Sequence, residues 1–140
     1  MIDNIEYDIC ETQMRIYRYY AKRKYNMEIF SNAYLSSDFC KRAMDTKYSR
    51  FQLEDVGECS DFFMPEIENK LTIDTEIKIP VEVVEWIGFA YRQLWFETRI
   101  FSKDLCKIVP FSAMVKLYPG MHTLDEDVAA EKIMQMYNLQ

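Results

Sequence analysis

Glycine and proline are scarce in this chain, 3 and 4 among 140 residues, too few to turn the corners of an all-β sandwich or barrel. The four cysteines, Cys10, Cys40, Cys59 and Cys106, are widely scattered and form no CxxC pair, so neither a zinc-ligand nor a dithiol redox spacing is present. Such thiols suit the core of a protein in a reducing compartment. No apolar run approaches the roughly 20 residues that span a bilayer, and the opening MIDNIEYDICE is acidic where an export signal is basic and then apolar. The expectation is a cytoplasmic protein with no membrane partner. Histidine occurs once, so a triad or metal site would need His122 together with Cys106, Asp125 or Asp127. Its place beside a helix start suits a bond to a backbone carbonyl better. The acidic pairs Glu54-Asp55 and Glu66-Glu68 have no glycine-rich phosphate loop next to them. These absences point away from an enzyme and from any cofactor or metal.

What is present demands a packed interior: 49% of the residues are apolar, well beyond the composition of a disordered chain. The length suits one domain, 1–140, of mainly α (α+β) class. Its parts are a helical unit over 1–47, an acidic crossing with a strand over 48–80, and a helical unit over 81–140. Residues 4–25 place Ile5, Ile9, Ile16 and Tyr20 near one helical face, joined by Tyr17 and Ala21. Ser31 and Ser36-Ser37 are candidate N-caps for short helices over 32–45, with Phe39, Cys40, Ala43 and Met44 inward. No period holds from Tyr48 to Ile67. Residues 71–79 alternate, with Leu71, Ile73, Thr75, Ile77 and Ile79 on one side, which predicts a half-buried strand. That strand must pair with a short strand near 48–54, with a second copy or with a partner.

Pro80 opens the strongest helix, where Val84, Ile87, Tyr91, Leu94 and Trp95 recur at helical spacing, and Trp86 or Trp95 with this helix should form the centre of the core. Ser102 begins a short helix, Pro110 begins another carrying Phe111, Met114, Val115 and Tyr118, and Pro119-Gly120 should stop it. Thr123 and Glu126 match a capping box for a last helix with Val128, Ala129, Lys132, Ile133, Met136 and Tyr137 on one face.

The net charge of −6 argues against general affinity for nucleic acid, and its distribution singles out the middle of the chain. Residues 51–85 carry ten acids against Lys70 and Lys78, whereas the flanking segments are nearly balanced. Within this stretch Glu54, Asp55, Glu58, Asp61 and Glu66 surround Phe62, Phe63 and Met64, a set that suits a partner-binding face. The alternative is the end of the first helix, where Arg15, Arg18, Lys22, Arg23 and Lys24 interleave with tyrosines and could meet nucleic acid. Helix-end cations also complement the helix dipole, which favours a solvated face there. A protein-binding component is therefore expected, with another protein, a basic toxin or a nucleic-acid enzyme among the partners its charge would fit, and a second copy also admitted.

The run WIGFAYRQLWFETRIFSKDLCKIVPFSAMVKLYPGMHTLDEDVAAEKI resembles a group of short, uncharacterised bacterial proteins. The shared pattern is an aromatic helix, a Ser-led short helix, a second aromatic helix, a hydrophobic-His-Thr turn at Met121-His122-Thr123, and an acidic-hydrophobic end. Members of that group tend to be encoded beside ADP-ribosyltransferase-like toxins. The resemblance covers roughly the last fifty residues and implies an antitoxin-like or inhibitory role.

Overall fold

The computed structural model describes residues 1–76 and 78–139, and these form a mainly α fold. Its α-helices are α1 (Asn4–Lys22), α2 (Met27–Leu35), α3 (Val56–Ile67), α4 (Val81–Thr98), α5 (Ser102–Ile108), α6 (Phe111–Met121) and α7 (Glu126–Tyr137). Asp3 starts α1 with a reciprocal capping box: its carboxylate accepts the Glu6 N–H at 2.8 Å, and its own N–H donates to Glu6 Oε1 at 3.0 Å. Ile9, Ile16, Tyr17, Tyr20 and Ala21 turn inward as the periodicity requires, while Ile5 in the first turn remains 64% exposed.

The central contact is α1 against α4. Gly88 permits it, because a Cβ there would lie 2.8 Å from Cγ of the buried Tyr17 ring. Around this pair Val84, Ile87, Tyr91, Leu94 and Trp95 are buried, as expected, and Trp86 is half-buried. An aromatic chain runs outward from the core: Tyr20 stacks on Phe30, Phe30 on Tyr34, and Phe63 meets Tyr34, Phe39 and Phe30. Phe39 then meets Phe51, and Phe51 meets Phe62 at the surface.

Among the described residues the expected strands at 48–54 and 71–79 do not form. Residues 50–53 are a tight 3₁₀ turn capped by Ser49, whose hydroxyl accepts the Phe51 N–H. In the second segment Ile73 makes a single antiparallel bridge with Tyr25, flanked by Asn26 N–H to Thr72 O at 2.8 Å and Asp74 N–H to Lys24 O at 2.7 Å. Lys24 is in the left-handed region at φ 65°, which bends the would-be partner strand away after one bridge. Ile73 and Thr75 are exposed, so their alternation does not report burial; Ile77 lies outside the described residues.

Four helix boundaries also differ from expectation. Asn26 caps α2, leaving Ser31 buried mid-helix with its hydroxyl 2.7 Å from the Tyr17 hydroxyl. The Tyr48–Ile67 crossing contains α3, whose inward residues Cys59, Phe63 and Ile67 follow at four-residue spacing. Helix α6 continues through Pro119 and Gly120 to Met121, and both residues are exposed. Asp125 rather than Thr123 caps α7, and Ala129, Ala130 and Ile133 face inward while Val128 and Met136 stay exposed.

Candidate interaction surface

The densest polar chemistry lies inside the molecule. Arg92 on α4 is fully buried and ion-pairs with Asp45 at 2.5 Å. Its Nε and one terminal nitrogen donate to Gln13 Oε1 at 3.0 and 2.8 Å, and the same terminal nitrogen lies 3.2 Å from both the Cys40 sulfur and the Ser102 hydroxyl. Asp45 also accepts the Ser102 N–H at 2.7 Å and its O–H at 2.5 Å, so it caps α5 from outside the helix. A widened turn over Cys40–Met44, closed by Asp45 N–H to Cys40 O at 2.8 Å, delivers the carboxylate inward.

Burial opposes the charge on Arg92, but Cys40 and Asp45 more than offset it and hold the guanidinium above its ordinary pKa. Burial pushes the Cys40 thiol up to about 12, far from the thiolate a nucleophile needs. Arg92, Asp45, Gln13, Cys40 and Ser102 are all buried, so the cluster's chemistry is to join α1, α4, α5 and the Cys40–Met44 turn. Sequence reasoning passed over Arg92. The available signal was that α4 is apolar around most of its circumference, which places any polar residue within it in the core.

The other thiols, Cys10, Cys59 and Cys106, are likewise buried and unbonded to one another. His122 is exposed, stacks on the Tyr118 ring at 4.2 Å and bonds through Nδ1 to the Tyr118 carbonyl. Among the described residues no three His, Cys, Asp or Glu side chains converge to hold a metal ion, and no helix is long and apolar enough to cross a membrane.

The surface features lie around α3. Asp55 is its N-cap, accepting the Glu58 N–H at 2.8 Å, and this sets the phase of the helix. Phe63 points into the core at 0% exposure, whereas Phe62 is 53% exposed and Met64 is half-buried against the core. Only Phe62 of the two expected phenylalanines reaches solvent. Leu53 and Tyr48 are also exposed, at 60% and 86%. A groove of about 290 Å³ lies between residues 38–43 and α3, lined by Phe39, Ala43, Phe51 and Phe62 together with the charged Asp38, Arg42 and Glu66. Arg50 stacks over Phe51 at 4.2 Å and reaches the Phe62 ring at 5.5 Å.

Asp55, Glu58 and Asp61 are exposed and Glu54 is half-exposed, and none of the ion pairs found among the described residues uses them. Glu66 is occupied differently: it accepts the N–H groups of Asp38 and Phe39 at 2.6 and 3.3 Å and ties α3 to the 38–44 turn.

The basic candidates on α1 are only partly available. Arg18 ion-pairs with Glu85, and Arg23 lies 3.4 Å over the Tyr19 ring and donates to the Tyr19 carbonyl. Arg15, Lys22 and Lys24 are exposed. Lys24 borders a cleft of about 280 Å³ whose lining mixes Lys78 with Glu28, Asp74 and Glu76, so the cleft favours neither sign of charge. Comparison with protein-family models, curated proteins and solved structures finds no match to this chain.

Proposed function

We propose that this chain is a non-catalytic, cytoplasmic protein-binding component that docks a basic protein on the face formed by α3 and the 48–54 turn. The observation that carries this reading is the exposure of Phe62, Leu53 and Tyr48 beside carboxylates that lack an ion-pair partner among the described residues. Exposed aromatics supply contact energy, while an acidic rim steers a basic partner and suppresses acidic ones. The resemblance of residues 86–133 to bacterial proteins encoded beside toxins supports an antitoxin-like or inhibitory role for that docking.

The experiment is affinity capture at low salt from the cells that make the protein. The bait is compared with a variant reversed at Glu54, Asp55, Glu58 and Asp61 and with one reversed at Arg15, Arg18 and Lys22. A stoichiometric basic protein that is lost with the acidic reversals and kept with the basic ones supports the reading. Co-purifying nucleic acid, lost only with the α1 reversals, would transfer function to the α1 face.

A further inference from the structure

We infer that residues 38–45 form a latched strap through which Glu66, on the surface of α3, controls the order of the buried Asp45–Arg92 cluster and of the start of α5. The strap is fastened by a carboxylate at each end. At its outer end Glu66 reaches across the groove and accepts the Asp38 and Phe39 N–H groups at 2.6 and 3.3 Å, and both Glu66 and Asp38 are exposed. At its inner end Asp45 is buried, pairs with Arg92 at 2.5 Å, and accepts the Ser102 N–H at 2.7 Å and its hydroxyl at 2.5 Å. One fastening meets solvent and the other meets the core.

The span between them is short and bonded to itself. Ser37 Oγ accepts the Cys40 N–H at 3.0 Å, the Lys41 N–H donates to Ser37 O at 3.1 Å, and the Asp45 N–H closes the widened turn on Cys40 O at 2.8 Å. A displacement of Asp38 and Phe39 is therefore passed through one closed turn to the Asp45 carboxylate. Beyond it the buried Gln52 amide donates to the Thr46 carbonyl at 2.9 Å and fixes the pivot on which the strap lifts. Widened turns of this kind recur at functional positions.

Two states follow. In the latched state Glu66 caps the strap and Asp45 holds Ser102 and Arg92; in the released state residues 38–45 lift and both lose that carboxylate. Stranding a buried guanidinium keeps the released state minor, and Glu66 sets its population. Any contact that draws the Glu66 carboxylate off the strap thereby loosens α5 from a distance. This goes beyond the docking reading and does not depend on it.

Native-state amide hydrogen exchange of the full chain, read by NMR, tests the coupling. The Ser102 amide is the reporter, because its acceptor is the Asp45 carboxylate. Glu66→Ala should speed its exchange about fivefold or more, the effect of losing an N-cap acceptor, and Glu66→Gln, which keeps an acceptor oxygen, should lie between Glu66→Ala and wild type. Glu58→Ala, two turns earlier on α3, should leave Ser102 unchanged. Coupling is reciprocal, so Ser102→Ala, which removes one donor to Asp45, should speed exchange of the Phe39 amide held by Glu66. Amides in the middle of α4 and α7 report any global loss of stability. The inference is overturned if Ser102 keeps its wild-type rate in Glu66→Ala, if its rise only equals that of the α4 and α7 amides, or if Ser102→Ala leaves Phe39 unchanged. A partner captured on α3 alongside any of those results would leave the docking reading standing and remove the strap.

Discussion

Replacing Asp45 by alanine tests the buried cluster most sharply. The substitution leaves the Arg92 guanidinium at 0% exposure with Gln13 as its principal acceptor, and strips the acceptor from the Ser102 N–H and hydroxyl at the start of α5. Removing one partner of a buried ion pair costs about 3–5 kcal/mol, because the remaining charge stays desolvated. Loss of the α5 cap adds about 1 kcal/mol. Together these reach the lower end of the stability of a domain this size, which is about 5–15 kcal/mol. Arg92→Met alone strands the carboxylate and should cost a similar amount. The double variant Asp45→Ala/Arg92→Met carries neither charge, so it should be more stable than the two separate losses imply, with a coupling of about 2–4 kcal/mol. Urea unfolding followed by far-ultraviolet circular dichroism and tryptophan fluorescence reads each value, provided the denaturant slope stays constant. Single losses below about 1 kcal/mol, or a double loss equal to the sum of the singles, would refute the reasoning.

Alkaline pH should destabilise the fold. Burial raises Cys40 and Cys59 to about 12 from an ordinary value near 9.0, and raises Cys10, Cys106, Tyr17, Tyr34 and Tyr91 as well. The unfolded thiols ionise near pH 9 while the folded ones keep their protons, so this stability is complete below pH 9 and is lost as pH rises toward 12. Each thiol contributes a slope of about 1.4 kcal/mol per pH unit in that window, and a urea midpoint that stays level from about pH 8 to about pH 10.5 would contradict it. Gly88→Ala should lower the urea midpoint even though alanine gains about 1 kcal/mol of helix propensity, because its Cβ must displace the buried Tyr17 ring at a cost of about 1–3 kcal/mol. A stabilised Gly88→Ala variant would show that α1 and α4 are free to separate.

The periodic signal was strong where a helix buries a long, dense apolar face. Residues 81–98 announce themselves because Val84, Ile87, Tyr91, Leu94 and Trp95 mark several turns in succession, and α1 does so through Ile9, Ile16, Tyr17 and Tyr20. The four scattered cysteines read as core residues because free thiols with no paired spacing are usually buried, and all four are buried. Helix α3 escaped notice because only Cys59, Phe63 and Ile67 of its twelve residues are buried, and Gly57 and Pro65 mask so thin a stripe. Its Asp55 cap and the four-residue spacing were the legible clues.

The acids and aromatics of the candidate surface could be seen in the composition of residues 51–85, since charge is additive along a chain. Which of Phe62 and Phe63 faces solvent could not, because that follows from the rotational phase of α3, set by its cap and by the Phe30, Tyr34 and Phe39 rings against which Phe63 packs. Residues 71–79 carry the alternation of a strand, but a strand exists only where an edge is offered, and the left-handed Lys24 ends that edge after one bridge. Arg92 goes further still: its acceptors Gln13 and Asp45 stand 79 and 47 residues away in the chain, and only their convergence makes a buried guanidinium affordable. Local patterns determined where the chain coils into its main helices; long-range packing decided which side chains those helices hide, because burial depends on neighbours that the sequence holds far apart.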